Sequence, residues 1–213
     1  MNVGSLSLPV LQAIVDIDIA AAAGWTPLDL SRAYLDGGAR FLQLRAKTLP
    51  SAPFLDICDQ VVELARRAGA LVIVNDRVDL ARMSGASGVH VGQDDLPVAD
   101  ARMQLGLAAV IGFSTHSTAQ VRAGLEQPAS YIAVGPVFGT RSKDTGYSAV
   151  GLELVSEAAR LCGDRPVVAI GGITLETAPS VIEAGAACVA VIGDLLAMGR
   201  PEDRVRAYFN ALR

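Results

Sequence analysis

The chain has few of the residues that support disulfide, metal-thiolate or histidine-based chemistry. Its 213 residues include three cysteines, two histidines and one tryptophan. Cys58, Cys162 and Cys188 are odd in number, far apart and flanked by apolar residues, which indicates buried thiols in a reducing compartment. His90 and His116 lie in no spacing that predicts a Ser-His-Asp or Cys-His arrangement.

Long apolar runs and basic clusters are also missing. Because no run of about eighteen consecutive apolar residues is present, we expect no membrane span. The opening stretch MNVGSLSLPVLQAIVD lacks a basic leader, an apolar core and a cleavage site, so we expect no secretory signal and a cytoplasmic location. The net charge is −4 and no basic cluster is longer than Arg66-Arg67, which argues against nucleic acid as a partner.

What the chain does contain is a regular alternation of short apolar runs and amphipathic stretches. The candidate strands are Val10–Val15, Arg40–Leu44, Ala70–Val74, Gly88–Val91, Ala109–Gly112, Tyr131–Val134, Val167–Ile170 and Cys188–Ile192. The candidate helices are Pro27–Asp36, Ala52–Arg67, Val78–Met83, Pro97–Leu105, Thr118–Gly124, Leu152–Leu161, Leu175–Glu183 and Glu202–Leu212. Ser117 and Gln120 have the spacing of a capping box at the start of one helix.

Eight β/α pairs in sequence favour a closed (β/α)8 TIM barrel. An open doubly wound sheet is the alternative, but the glycine fingerprint of dinucleotide binding is missing after the first strand. With 51% hydrophobic residues and no recognisable linker, we expect residues 1–213 to form a single TIM-barrel catalytic domain. Active sites in this fold lie where the strands end, so the residues after each strand carry the functional prediction.

Cationic and acidic side chains follow three neighbouring strands. In QLRAK, Gln43, Arg45 and Lys47 share one side of the strand and suit phosphate oxygens. Asp76 follows the third strand and Asp95 the fourth, and paired carboxylates beside phosphate predict a Mg²⁺ site. Two structural alternatives remain for Asp76, which could pair with Arg77 or cap the following helix.

The later strands end in hydroxyls and glycines. Ser114 is a candidate ligand donor, and the segments AIGGI and AVIGD place glycines in the two loops where this fold commonly binds phosphate. The sixth strand leads into a long polar loop containing Thr140, Ser142 and Lys143, which is typical of a binding loop or lid. Two anion pockets in one barrel mouth imply two phosphorylated small-molecule substrates.

The segments QLRAK, VNDRVDLA, GVHVGQDDLP, IGFSTHS, YIAVGPVFGTRSK and AIGGI resemble the thiamine-phosphate synthase family in order and spacing. The resemblance implies a barrel transferase that joins a hydroxymethylpyrimidine diphosphate to a phosphorylated hydroxyethylthiazole, with Mg²⁺ and through a dissociative substitution. It implies that Asp76 and Asp95 bind Mg²⁺ and that Arg45, Lys47, Ser114 and Lys143 act in catalysis. The substrate-binding residues that it implies are Gln43, Leu44, Arg45, Ala46, Lys47, Asn75, Ser114, Thr140, Arg141, Ser142, Lys143, Gly172, Ile192 and Gly193.

Two positions depart from the family pattern. Ser142 stands where the family commonly has Thr, which preserves the hydroxyl, and Gly193 stands where a Ser is common, which removes a side-chain donor from the thiazole-phosphate pocket. A thiazole tautomerase-like enzyme and a non-catalytic thiamine- or thiazole-phosphate-binding protein remain as alternatives. The sequence predicts no particular oligomeric state.

Overall fold

The computed structural model describes residues 7–139 and 148–213, and within these ranges it contains eight strands that alternate with helices. The strands are β1 Leu11–Asp16, β2 Phe41–Arg45, β3 Leu71–Asn75, β4 Gly88–Val91, β5 Val110–Thr115, β6 Tyr131–Val134, β7 Val167–Ile170 and β8 Cys188–Val191. The helices are α1 Ile17–Ala22, α2 Pro27–Asp36, α3 Ser51–Arg67, α4 Val78–Ser84, α5 Val98–Leu105, α6 Thr118–Leu125, α7 Gly151–Cys162, α8 Ala178–Glu183 and α9 Pro201–Ala211. A 3-10 segment, Gly193–Gly199, connects β8 to α9.

The strands close into one parallel barrel in chain order, and β1 pairs with both β2 and β8. Ala13 lies beside Leu42 on one side and beside Val191 on the other. An open doubly wound sheet would leave its two edge strands unpaired. The prediction of a (β/α)8 TIM barrel is therefore confirmed, and the open-sheet alternative is wrong.

Alternating strand residues build two apolar layers. Leu42 and Leu44 are buried between the strands and the surrounding helices, whereas Phe41 lies in the barrel interior. The interior is closed by large side chains, and the rings of Phe41 and Tyr131 meet edge to face with centroids 6.1 Å apart. Its buried members are Ile14, Phe41, Ile73, Val110, Tyr131, Ala133, Val168, Cys188, Ala190 and Ile192. This packed core supports the polar residues at the mouth above it.

Side-chain caps begin two of the helices, α6 after β5 and α1 after β1. The Ser117 hydroxyl accepts a hydrogen bond from the Gln120 backbone N–H at 3.3 Å, so the predicted cap of α6 is confirmed. Helix α1, which follows β1 directly, was not predicted from the sequence. Asp16 caps α1 by accepting from the Ile19 N–H at 3.2 Å, and this bond orients a carboxylate at the mouth.

The three cysteines lie in the interior, as the sequence predicts. Cys58, Cys162 and Cys188 are buried free thiols. Burial, together with the charge of Asp59, raises the pKa of Cys58 to about 12, so this thiol stays protonated at neutral pH. Among the residues that the structure describes, no helix is both long and apolar enough to cross a membrane.

Candidate active site

The β2 strand delivers two polar side chains into the barrel mouth. Its side chains alternate, since Leu42 and Leu44 face the helices while Phe41 lies inside the barrel. Gln43 and Arg45 have the same alternation as Phe41 and therefore point inward, as predicted. Leu44 is fully buried in the outer layer and Ala46 packs against that layer. Any contact of Leu44 with a substrate must therefore involve its backbone.

Arg45 is held by a carboxylate that the sequence analysis did not assign to the site. Its Nη1 donates to Asp16 Oδ2, and the side chains are 12% and 2% exposed, respectively. Arg45 Nε is buried and has no hydrogen-bond partner among the described residues. The ion pair fixes one edge of the guanidinium and leaves a donor available for an anion. Asp16 could have been predicted from its position in the sequence, because an acidic residue at the carboxyl end of a barrel strand is typical of an active site.

Lys47 and Asp76 form an ion pair across the ends of β2 and β3. The distance from Lys47 Nζ to Asp76 Oδ2 is 2.5 Å. Arg77 points elsewhere, and its Nη2 donates to Asp79 at 2.5 Å and to Ser51 at 2.9 Å. The start of α4 has no side-chain cap. Both structural alternatives for Asp76 are therefore wrong.

Asp76 and Asp95 lie side by side at the ends of β3 and β4. Burial raises the pKa of Asp76, Lys47 lowers it, and the neighbouring Asp95 carboxyl group raises it again. Asp95 Oδ2 accepts a hydrogen bond from the Gly92 N–H at 2.7 Å, which orients its carboxylate. Asp76 has a left-handed backbone with φ 62°, and its N–H donates to the His90 carbonyl at 2.8 Å. These bonds hold two carboxylates together near Lys47.

Two adjacent carboxylates, one of them half-buried, are a donor set that suits Mg²⁺, which commonly takes one or two protein carboxylates plus phosphate and water. Asp94, the neighbour of Asp95, is exposed. Within residues 7–139 and 148–213, no group of three or more His, Cys, Asp or Glu side chains could hold a metal. The residues present thus fit a cation that is completed by ligand oxygens and water rather than one enclosed by protein.

Ser114 is oriented by a chain of polar groups inside the barrel. Its hydroxyl lies 2.8 Å from His90 Nε2, and His90 Nδ1 lies 3.0 Å from the Tyr131 hydroxyl. The Gln93 amide donates to the Ser114 carbonyl at 2.5 Å. Asn75 is buried beside His90 in the strand register. His90, which the sequence left without a role, therefore supports Ser114 from below the mouth.

The loops after β7 and β8 form the opposite wall. Gly171 and Gly172 have φ values of 105° and 64°, a backbone conformation that residues with side chains rarely adopt. A Cβ on Gly172 would lie 2.5 Å from the Gly139 carbonyl oxygen, so only glycine fits where this loop meets the segment after β6. The Phe138 N–H donates to the Gly171 carbonyl at 2.9 Å and joins the two segments.

A cavity of about 510 Å³ opens between the ends of β5 and β8. Ser114 lies at one side of this cavity, and the predicted residues Gly172, Ile192 and Gly193 lie at the other. Since Ser114 also contacts His90 of β4, it connects the cavity to the carboxylate side of the mouth. The predicted residues Thr140, Arg141, Ser142 and Lys143 lie outside the described residues.

Asp194 also lines the cavity and was not predicted as a site residue. Its carboxylate accepts hydrogen bonds from Arg204, Tyr208 and the backbone of Leu175. The partners are remote along the chain, so sequence spacing carries no signal for this cluster. The packing of α9 beside the 3-10 segment brings Arg204 and Tyr208 to Asp194.

Comparisons with known proteins identify the family of the chain. A family model described as thiamine monophosphate synthase matches residues 11–195. The chain is 43% identical over 193 residues to the thiamine-phosphate synthase of Anaeromyxobacter dehalogenans, covering 89% of this chain and 86% of that protein. It is 41% identical over 199 residues to the thiamine-phosphate synthase of Chlorobium luteolum, covering 93% and 91%. The solved structure of thiamine phosphate pyrophosphorylase from Pyrococcus furiosus superposes with a TM-score of 0.86 and 27% identity over 95% of each chain.

The family match extends from β1 into the 3-10 segment after β8, so it includes every strand of the barrel and both walls of the mouth. The likeness to the Pyrococcus furiosus structure extends over the same barrel. The chain therefore belongs to the thiamine monophosphate synthase family and is an enzyme of the transferase class.

Proposed function

We propose that the protein joins 4-amino-2-methyl-5-(diphosphooxymethyl)pyrimidine to a phosphorylated hydroxyethylthiazole, giving thiamine phosphate and pyrophosphate. The observation that supports this proposal is the division of one mouth into two unlike halves. Arg45, Lys47 and the Asp76–Asp95 pair suit a diphosphate with its cation, and the glycine loops suit a second phosphate. Ser114 lies between the halves, where the two organic groups would meet.

The diphosphate would bind on the β2 to β4 side. Arg45 Nε is a buried donor without a protein acceptor in the described part of the chain, and a diphosphate oxygen would satisfy it. Lys47 would exchange its bond with Asp76 for bonds to the same diphosphate. Gln43, Asn75 and Ser114 would contact the remainder of the pyrimidine substrate.

Asp76 and Asp95 would hold Mg²⁺ beside the diphosphate. When bound, this ion would offset part of the negative charge of the two carboxylates and of the leaving diphosphate. Asp76 contributes a carboxylate whose charge is costly in its half-buried position, so a cation there relieves the repulsion from Asp95.

The thiazole phosphate would bind in the cavity on the other side. Gly172 and Gly193 allow backbone N–H groups to approach phosphate oxygens, and Ile192 contributes an apolar surface. Thr140 and Ser142 would contact the same phosphate, and Arg141 and Lys143 would extend over the substrates, with Lys143 on the diphosphate. These four roles rest on the likeness of the sequence to the family.

The reaction would proceed by dissociative substitution. The bond from the pyrimidine methylene carbon to the diphosphate oxygen breaks, and its electron pair leaves with diphosphate. The thiazole nitrogen then donates its lone pair to the resulting pyrimidine cation, which forms the new carbon–nitrogen bond. Arg45, Lys47 and Lys143 would stabilise the departing charge, and one well-placed donor of this kind contributes about 3–4 kcal/mol. No protein base is required.

The direct test is incubation of the protein with both phosphorylated substrates and Mg²⁺, followed by chromatography of the products. We expect equimolar thiamine phosphate and pyrophosphate, and no product after chelation of the metal. We expect Lys143→Ala to bind both substrates while turning over more slowly. Absence of product from the parent protein, with both substrates bound, would reject the synthase function in favour of a binding protein. Metal-independent isomerisation of the thiazole phosphate alone would instead indicate a tautomerase-like enzyme.

A further inference from the structure

The Asp194 carboxylate joins three separate segments at the wall of the 510 Å³ cavity. Arg204 of α9 binds it in two places, from Nη2 to Oδ1 at 2.9 Å and from Nε to Oδ2 at 3.1 Å. The Tyr208 hydroxyl, also on α9, donates to Oδ2 at 2.6 Å. The Leu175 N–H donates to the same oxygen at 3.1 Å. One side chain thus ties the loop after β7 to the segment after β8 and to α9.

The hydrogen bond between Asp194 and Leu175 connects the two glycine-containing loops of the cavity, those after β7 and β8. Leu175 is three residues beyond Gly172, and Asp194 directly follows Gly193. Glycine backbones have no side chains to restrict them, so their geometry depends on the contacts around them. The bond between Asp194 and Leu175 fixes the separation of the two loops within three residues of each glycine.

The same contacts reduce the repulsion that a carboxylate on the wall would exert on a phosphate. Arg204 binds Asp194 in two places and offsets its charge, and the exposed Glu176 carboxylate lies 3.7 Å from the same guanidinium. Burial raises the pKa of Tyr208 far above its ordinary value, and the Asp194 carboxylate raises it further, so this hydroxyl remains a donor. The acceptor positions of Asp194 are therefore directed at protein donors.

We infer that Asp194 is a positioning residue for the phosphate subsite of the second substrate, and that it acts through the loops containing Gly172 and Gly193. Arg204 and Tyr208 hold Asp194 in place. The inference rests on the proposed function, because it assigns the cavity to a phosphorylated thiazole. Asp194 itself contacts no substrate in this account.

The test compares Asp194→Ala with the parent in steady-state kinetics, varying each substrate separately. We expect KM for the phosphorylated thiazole to rise about 10-fold, as when buried hydrogen bonds are lost. We expect KM for the pyrimidine diphosphate to change by less than about twofold, because the two loops lie on the opposite wall. Tyr208→Phe removes one donor and should shift the same KM in the same direction by a smaller factor.

Arg102→Met is the matched control. Arg102 also ties distant segments, with Nη1 donating to the Ala109 carbonyl at 2.6 Å and Nη2 to the Pro128 carbonyl at 3.0 Å. These groups lie where β5 and β6 begin, at the rim opposite the mouth. We expect Arg102→Met and Asp194→Ala both to lower Tm, and Arg102→Met to leave both KM values unchanged.

The possible results distinguish a failure of the positioning role of Asp194 from a failure of the proposed synthase function. Equal increases in both KM values, or a lowered Tm with both unchanged, would overturn the positioning role. If the parent protein makes no thiamine phosphate, calorimetry with the phosphorylated thiazole replaces kinetics. Weaker binding to Asp194→Ala than to the parent would then support the inference although the synthase function fails. No binding to the parent, or equal binding to both proteins, would reject the inference as well.

Discussion

Lys47 forms an ion pair with Asp76, and the Asp76 carboxylate also lies beside the carboxylate of Asp95. The distance from Nζ to Oδ2 is 2.5 Å. A divalent cation and a diphosphate would separate this pair, since the cation would take the carboxylate and the diphosphate would take the ammonium. The ion pair therefore links the two parts of the proposed diphosphate site.

The first prediction concerns the pH dependence of Mg²⁺ binding. Burial and Asp95 raise the pKa of Asp76 above its ordinary value of 3.8, against the opposing effect of Lys47. Protons and Mg²⁺ compete for this carboxylate, so affinity should fall as pH decreases, starting above pH 3.8. Calorimetric titration of Mg²⁺ with diphosphate at several pH values measures the effect. Asp76→Asn should weaken binding and remove this component of the pH dependence.

The second prediction concerns the cost of placing two carboxylates together. The folded protein holds the Asp76 proton more tightly than the unfolded chain, so ionisation of Asp76 lowers stability as pH rises through its elevated pKa. Asp95→Asn removes one charge while keeping an oxygen for the Gly92 N–H. We expect the free energy of unfolding at neutral pH to increase by up to about 1 kcal/mol, while Mg²⁺-dependent turnover is lost. A decrease in stability measured by urea denaturation would contradict this account.

The third prediction concerns the buried pair between Asp16 and Arg45. Asp16→Ala leaves the guanidinium without its partner and also removes the cap of α1. We expect a loss of about 3–5 kcal/mol in the free energy of unfolding and a higher KM for the pyrimidine diphosphate. The control is Asp29→Ala, whose pair with Arg32 is half exposed and should cost less than about 1 kcal/mol. Similar losses from both variants would show that the burial of Asp16 does not matter.

The fourth prediction concerns Gly172. Gly172→Ala places a Cβ at 2.5 Å from the Gly139 carbonyl in a left-handed backbone, so the loop must move. We expect a loss of about 1–3 kcal/mol in stability and weaker binding of the phosphorylated thiazole. Gly24→Ala is the control for backbone strain alone, because φ is 80° and no atom lies within 4 Å of the added Cβ. Its cost should be about 1 kcal/mol, with no change in binding.

Much of the fold was predictable because it depends on local patterns. Apolar runs set all eight strands to within three residues of their ends, and the count of β/α units indicated closure. The helix α1 was missed because its sequence, IDIAAA, follows β1 without a turn. Its cap depends on Asp16, and the same carboxylate also binds Arg45 of the neighbouring strand.

The sequence by itself determined which residues follow each strand, and barrel geometry then placed Arg45, Asp76, Asp95, Ser114 and Gly172 at one mouth. Only the tertiary structure decided how they are paired. Lys47 rather than Arg77 binds Asp76, His90 supports Ser114, and the Asp194 cluster joins segments that are distant along the chain. The reason is physical, since strand order and side-chain alternation are local properties of the chain. The choice of partner for a charged side chain depends on distances across the barrel that no local pattern encodes.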